Sequence, residues 1–273
     1  MRLAIVQTNA TLGAVDTNIA RATTLLEQLP PSQLDLIILP ELAFSGYNFQ
    51  SPKQITPFVE TRTKSPSRTW AQETARRYNC SVLIGLPTQD TSRHNTAALV
   101  DRSGTLVHEY YKHHMFDTDY NWGCTPGPGF SYTSLSFGNN NDTNAVRTSV
   151  GICMDLNPWE FKAPFSSYEY ANYILENDIS LVLLPMAWLL PSEYDPQTTY
   201  GPSKSTMEYW IRRLDPLIHD STIRTIVICN RTGEEEGAAY AGTSCVLRIG
   251  TGKVVVLGLR GREEGVLIVD VDF

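Results

Sequence analysis

The sequence is short of several things at once. Cysteine is scarce, with five in 273 residues (Cys80, Cys124, Cys153, Cys229 and Cys245), an odd number without a CxxC pair. That speaks against a disulfide framework and against a zinc site. No apolar run approaches the roughly 18 residues of a membrane-spanning helix. No run of Lys or Arg stands out, and the net charge is −7. Neither a membrane nor nucleic acid is therefore an expected partner. Eighteen glycines and sixteen prolines are ordinary numbers for this length and argue against a fibrous or disordered chain. The start, Met1-Arg2-Leu3-Ala4-Ile5-Val6-Gln7, turns polar too soon for a signal peptide and reads as a first strand. A cytoplasmic protein is the expectation.

What is present is a chain that is 42% hydrophobic, enough for one large core, and no linker breaks it. We expect a single domain over 1–273. Apolar, β-branched runs bounded by turn residues predict strands at Leu3–Gln7, Asp35–Leu39, Ser81–Leu86, Ala97–Asp101, Leu106–Lys112 and Thr148–Cys153. Further strands are expected at Leu181–Leu184, Thr225–Cys229, Ser244–Ile249, Val254–Leu257 and Val266–Val271. Several are apolar at nearly every position, which suits strands covered on both faces. Ile19, Ala22, Leu25, Leu26 and Leu29 recur at helical spacing after Asp16, the expected N-cap. Pro66–Asn79, Tyr168–Asn177 and Ser203–Asp220 also read as helices, and the polar run Gly138–Asn144 as a surface loop. The order is mixed α and β, with helices outside sheets. Leu36-Ile37-Ile38-Leu39-Pro40-Glu41 is echoed by Leu181-Val182-Leu183-Leu184-Pro185-Met186, a hint of two similar halves packed together.

Three strand ends carry residues suited to chemistry. Cys153 closes Thr148–Ile152 and precedes a turn and an expected helix, whose N-terminus would favour thiolate over a thiol of ordinary pKa about 8.5. Glu41 directly follows an apolar strand, and an apolar pocket would suit it to general acid–base work. Lys112 ends Leu106–Tyr111, where an ammonium can stabilise an oxyanion or hold a thiolate. Alone, each has a plainer reading: a packed thiol, a solvated loop carboxylate, a surface lysine. His113 and His114 follow the lysine, but neighbours in an extended segment point to opposite faces and chelate poorly, so no metal is expected.

Together the three segments resemble the nitrilase, or carbon–nitrogen hydrolase, superfamily. The matching frames are Leu39-Pro40-Glu41, Tyr110-Tyr111-Lys112 and Gly151-Ile152-Cys153-Met154-Asp155, in that chain order, followed by Asn230-Arg231-Thr232-Gly233, Gly242-Thr243-Ser244 and Gly252. The resemblance implies an αββα four-layer sandwich, a Glu41–Lys112–Cys153 catalytic centre and no cofactor. Many members associate through outer helices, which leaves a homo-oligomer open. Within the superfamily the chain is most similar to fungal-type N-terminal amidases, through Cys153–Pro158, Ala163-Pro164-Phe165, Leu184–Trp188 and Trp122-Gly123-Cys124. That likeness implies removal of the side-chain amide of an N-terminal Asn or Gln of a peptide or protein, within an N-degron pathway. The second glutamate that braces the lysine in many members has no counterpart, since no Glu lies between Glu109 and Glu160. Asp119 stands in its place, to brace the lysine or to bind ligand.

On this reading Cys153 attacks the amide carbon, Lys112 and the backbone N–H of Met154 face the oxyanion, and Glu41 moves the protons. The substrate's α-ammonium calls for a carboxylate, with Asp119 and Asp155 the candidates, Asp155 alternatively capping the following turn. Trp122, Met186 and Trp188 are candidate pocket walls, or else core. Asn and Gln differ by one methylene, worth about 1–3 kcal/mol in a fitted pocket, so both can be accepted. The alternatives are a small-molecule amidase of the same fold, such as an ω-amidase or carbamoyl hydrolase, and a non-catalytic binding protein, against which the intact triad argues.

Overall fold

A computed structural model describes residues 1–30, 34–137 and 145–272. In chain order the elements are β1 (Arg2–Gln7), α1 (Val15–Glu27), β2 (Leu36–Ile38), α2 (Pro52–Ile55), α3 (Pro66–Tyr78), β3 (Ser81–Gln89), β4 (Arg93–Val100) and β5 (Leu106–Tyr111). There follow α4 (Asp117–Asn121), β6 (Ser131–Leu135), β7 (Val146–Val150), α5 (Glu169–Glu176), β8 (Leu181–Met186), α6 (Lys204–Arg213) and α7 (Asp215–Ile218). The chain closes with β9 (Arg224–Asn230), β10 (Glu234–Glu235), β11 (Ala238–Ala239), β12 (Cys245–Gly250), β13 (Lys253–Leu259) and β14 (Gly265–Asp270).

Among the described residues two six-stranded sheets form, ordered β14-β1-β2-β3-β4-β5 and β13-β12-β9-β8-β7-β6, beside the small β10–β11 hairpin. The alternation of side chains along a strand sorts them into layers. Leu3, Ile5, Leu36, Ile38 and Leu83 join Leu181, Leu183, Val227 and Cys229 in the core between the sheets, where the Cys229 sulfur meets the Val6 and Ile38 carbonyls. Their neighbours Ala4, Val6, Ile37, Val82 and Ile84 face the other way, against Ala22 and Leu26 of α1 and Trp70, Ala71 and Ala75 of α3. Tyr170 and Ile174 of α5 and Trp210 of α6 cover the second sheet. The result is the expected αββα sandwich.

The echo between Leu36–Glu41 and Leu181–Met186 is structural. β1, β2 and β3 run parallel, as do β7, β8 and β9, and β2 and β8 are the middle strands. Each trio is flanked by an antiparallel pair, β4–β5 or β12–β13. Some local expectations need correction. Asp16 lies inside the first turn of α1, where a carboxylate suits the helix dipole, and is not its cap. Ser203–Asp220 is two helices, because Pro216 has no N–H to continue α6 and begins a new turn in α7. The polar edge strand β6 escaped the apolar-run criterion. The loop expected at Gly138–Asn144 lies outside the described residues.

Candidate active site

The parallel strands end on one side of the sandwich, and their ends build the site. Glu41 follows β2 and Lys112 follows β5; both are fully buried. Lys112 Nζ donates to Glu41 Oε1 at 2.6 Å and to Asp119 Oδ2 at 2.7 Å. Glu41 Oε2 accepts the backbone N–H of Ala187, just past β8, at 2.8 Å. Asn95 on β4 donates its Nδ2 to Glu41 Oε1 at 2.7 Å and to Asp119 Oδ1 at 3.0 Å. Gly85 of β3 makes this possible: a β-carbon there would come within 2.6 Å of the Glu41 Cα.

Cys153 follows β7 at a sharp bend, with φ of 43°, left-handed for a residue other than glycine. Only the four-residue 3₁₀ turn Cys153–Leu156 follows, not the longer helix expected. Asp155 locks the bend. Its carboxylate accepts the N–H of Ile152 at 2.7 Å, of His114 at 2.7 Å and of His113 at 3.1 Å, and the Tyr110 hydroxyl at 2.8 Å. It thus ties the cysteine bend to the segment carrying Lys112.

The electrostatics follow from burial. Desolvation pushes the Glu41 carboxyl up from its ordinary value despite the Lys112 charge. Burial works against the ammonium of Lys112, but Asp119 and Glu41 outweigh it and hold the group well above its ordinary pKa. Burial, then the Glu41 charge, pushes the Cys153 thiol well up, with Lys112 opposing. Burial and the Glu41 charge thus oppose the thiolate that the turn after β7 was expected to favour.

A cleft of about 160 Å³ opens over Cys153, lined by Tyr47, Phe116, Met154, Asn157, Phe161, Ala187, Trp188 and Leu189. Sites for drug-sized ligands span about 300–1,000 Å³, so this one suits a single side chain. Trp188 and Met154 both line it. Four other expectations are corrected. Asp119 is buried beneath Lys112, its oxygens also taking the Phe116 N–H at 2.9 Å and the Tyr47 hydroxyl at 3.4 Å. It occupies the bracing position, not a ligand-binding one. Asp155 is spent on the backbone of the bend. Trp122 is sealed in a cluster with Leu42, Phe49 and Tyr240, and Met186 is fully buried in the hydrophobic core on the helix-covered face of the second sheet. A strand-end residue with its side chain on the core face cannot also face the cleft. Tyr47, whose ring lies 5.4 Å from Lys112 Nζ, was missed by sequence reasoning, as was Asn95. A lone Asn among Thr96-Ala97-Ala98-Leu99-Val100 was the available signal for the latter.

Residues 2–167 match the family described as carbon-nitrogen hydrolase. The chain belongs to that family. This hydrolase is 33% identical to the protein N-terminal amidase of Schizosaccharomyces pombe, over 98% of each chain. It is 26% identical to the human Omega-amidase NIT2, over 99% of this chain and 88% of the other. The crystal structure of an N-terminal amidase with an Asn-Glu-Ala peptide superposes with a TM-score of 0.91 at 22% identity, covering 99% of the hydrolase and 97% of that chain. At that identity the superposition shows the shared fold.

Proposed function

We propose that this hydrolase deamidates N-terminal Asn and Gln of peptides or proteins to Asp and Glu, releasing ammonia, through a thioester on Cys153. The observation that carries the reading is a thiol that lines a cleft sized for one side chain and feels the charges of a buried Lys112–Glu41 pair, in a chain alike end to end to a protein N-terminal amidase. As the Cys153 sulfur attacks the amide carbon, its proton passes to Glu41. Lys112 has three N–H donors and spends two on Glu41 and Asp119. The third, with the N–H of Met154, faces the oxyanion; losing one such donor typically costs about 10²–10³-fold in rate. Glu41 returns the proton to the leaving ammonia, then draws one from the water that cleaves the thioester and regenerates the thiol.

The walls favour a cation at the mouth. Tyr47, Phe116, Phe161 and Trp188 supply four aromatic rings to a lining with no Lys or Arg among the described residues, and aromatic rings attract ammonium groups and not carboxylates. This supports an α-ammonium neighbour over the acid group of 2-oxoglutaramate, the substrate named for a Bacillus subtilis relative that is 21% identical. The test is ammonia release from peptides beginning with Asn or Gln, their N-acetylated forms, free asparagine and glutamine, N-carbamoyl compounds and 2-oxoglutaramate. Turnover of the free-amine peptides alone is expected; turnover of only the small molecules would refute the proposal.

A further inference from the structure

Asn95 bonds both carboxylates of the cluster and the backbone of its lysine. It is fully buried on β4, opposite Pro87 of β3. Its Nδ2 donates to one oxygen each of Glu41 and Asp119. Its backbone carbonyl accepts the backbone N–H of Lys112 at 2.8 Å, and its backbone N–H donates to the Cys124 sulfur at 3.1 Å. The orientation of the amide is fixed by its neighbours. Both partners are carboxylates, which only accept when ionised, so a flipped amide would set three oxygens against one another. That orientation leaves Oδ1 buried with no hydrogen-bond partner among the described residues. Unpaired buried polar atoms are rare and call for an explanation.

The charge count supplies one. Glu41 and Asp119 share the single ammonium of Lys112, so two anions stand beside one cation. Two carboxylates sharing a site tend to capture a proton unless further donors satisfy them. Asn95 is that donor, and it is not symmetric on Glu41. Oε1 takes both Lys112 and Asn95, while Oε2 takes the Ala187 N–H alone among the described residues. We propose that Asn95 is a positioning residue that keeps Glu41 ionised in the resting enzyme and leaves Oε2 as the oxygen that receives the Cys153 proton. This rests on the thiol mechanism given above, though not on the identity of the substrate.

The other groups facing Glu41 are Lys112, Asp119, Cys153, Tyr47, Cys124 and Tyr240. Burial pushes both tyrosines and both thiols up, and Lys112 is held up by its anions, so none of these five changes charge between acid and neutral pH. An acid limb therefore reports on the carboxylate cluster.

The experiment is the pH dependence of Cys153 alkylation by iodoacetamide, read by peptide mapping, in the wild type, in Asn95→Leu and in Asn95→Ser. Labelling needs no substrate, so it reads the proposal even if the N-terminal assignment fails. Losing a hydrogen bond to a charged group should move the acid limb up by about 1–2 pH units in each folded variant. The acid limb of kcat/KM should move with it on whichever amide is turned over. A structural role would lower the plateau and leave the limb in place. Acid limbs that superimpose on the wild type's in either folded variant overturn the proposal.

Discussion

Replacing Lys112 with Met removes the one cation from a fully buried cluster and keeps most of the side-chain volume. Glu41 Oε1 and Asp119 Oδ2 then lose a donor at 2.6 and 2.7 Å, and two carboxylates face each other. Removing one partner of a buried pair typically costs about 3–5 kcal/mol. Whole domains hold only about 5–15 kcal/mol, so urea unfolding should show the loss plainly at pH 7. The pH dependence separates this cause from lost packing. Glu41 is already raised in the wild type, so its folded form binds a proton more tightly than its unfolded form. Without Lys112 it rises further. Stability linked to a raised carboxyl grows as pH falls through the folded-state value, so the variant gains more on acidification than the wild type. The stability gap should therefore narrow from pH 7 towards pH 4.5. Ammonia release should fall by at least about 10²–10³-fold. A variant of wild-type stability at pH 7, or a gap that is constant with pH, would refute the electrostatic reasoning.

Other changes have distinct outcomes. Cys153→Ala should abolish ammonia release with the melting temperature near that of the wild type, since it removes a single sulfur atom from a residue that lines the cleft. Asp155→Ala should leave the N–H groups of Ile152, His113 and His114 unpaired at about 1–3 kcal/mol each, read as a lower urea midpoint together with lost activity. In the wild type, kcat/KM should fall on acidification at a pH above the ordinary glutamate value of 4.5, as Glu41 takes a proton, and the raised Lys112 should impose no basic limb below pH 10.5. Trp188→Ala should raise KM more than it lowers kcat, measured on an Asn-initiated peptide, because the ring is a wall and touches no reacting group.

Much of this was legible in the sequence. Strands apolar at every position announced a sheet covered on both faces, and β1, β8 and β9 are buried throughout or nearly so. Glu41, Lys112 and Cys153 stood out because each is a reactive residue directly after such a strand. What lay beyond the strand ends was harder. Asp119 and Asp155 are carboxylates near the lysine and the cysteine in sequence, but which way each side chain turns is set by partners up to 72 residues away. Met186 and Trp188 are two residues apart, yet one is sealed in the core and the other lines the cleft. Tyr47 and Asn95 reach the cluster from the loop after β2 and from β4, and no local pattern in the sequence marks that convergence.

The most direct measurement is intact-mass spectrometry of the wild-type enzyme, acid-quenched during turnover of an Asn-initiated peptide and mapped to the peptide containing Cys153. An adduct equal to the substrate less ammonia on Cys153 is the predicted result. Sustained ammonia release with no adduct on Cys153, together with an active Cys153→Ala enzyme, would contradict covalent catalysis at this site.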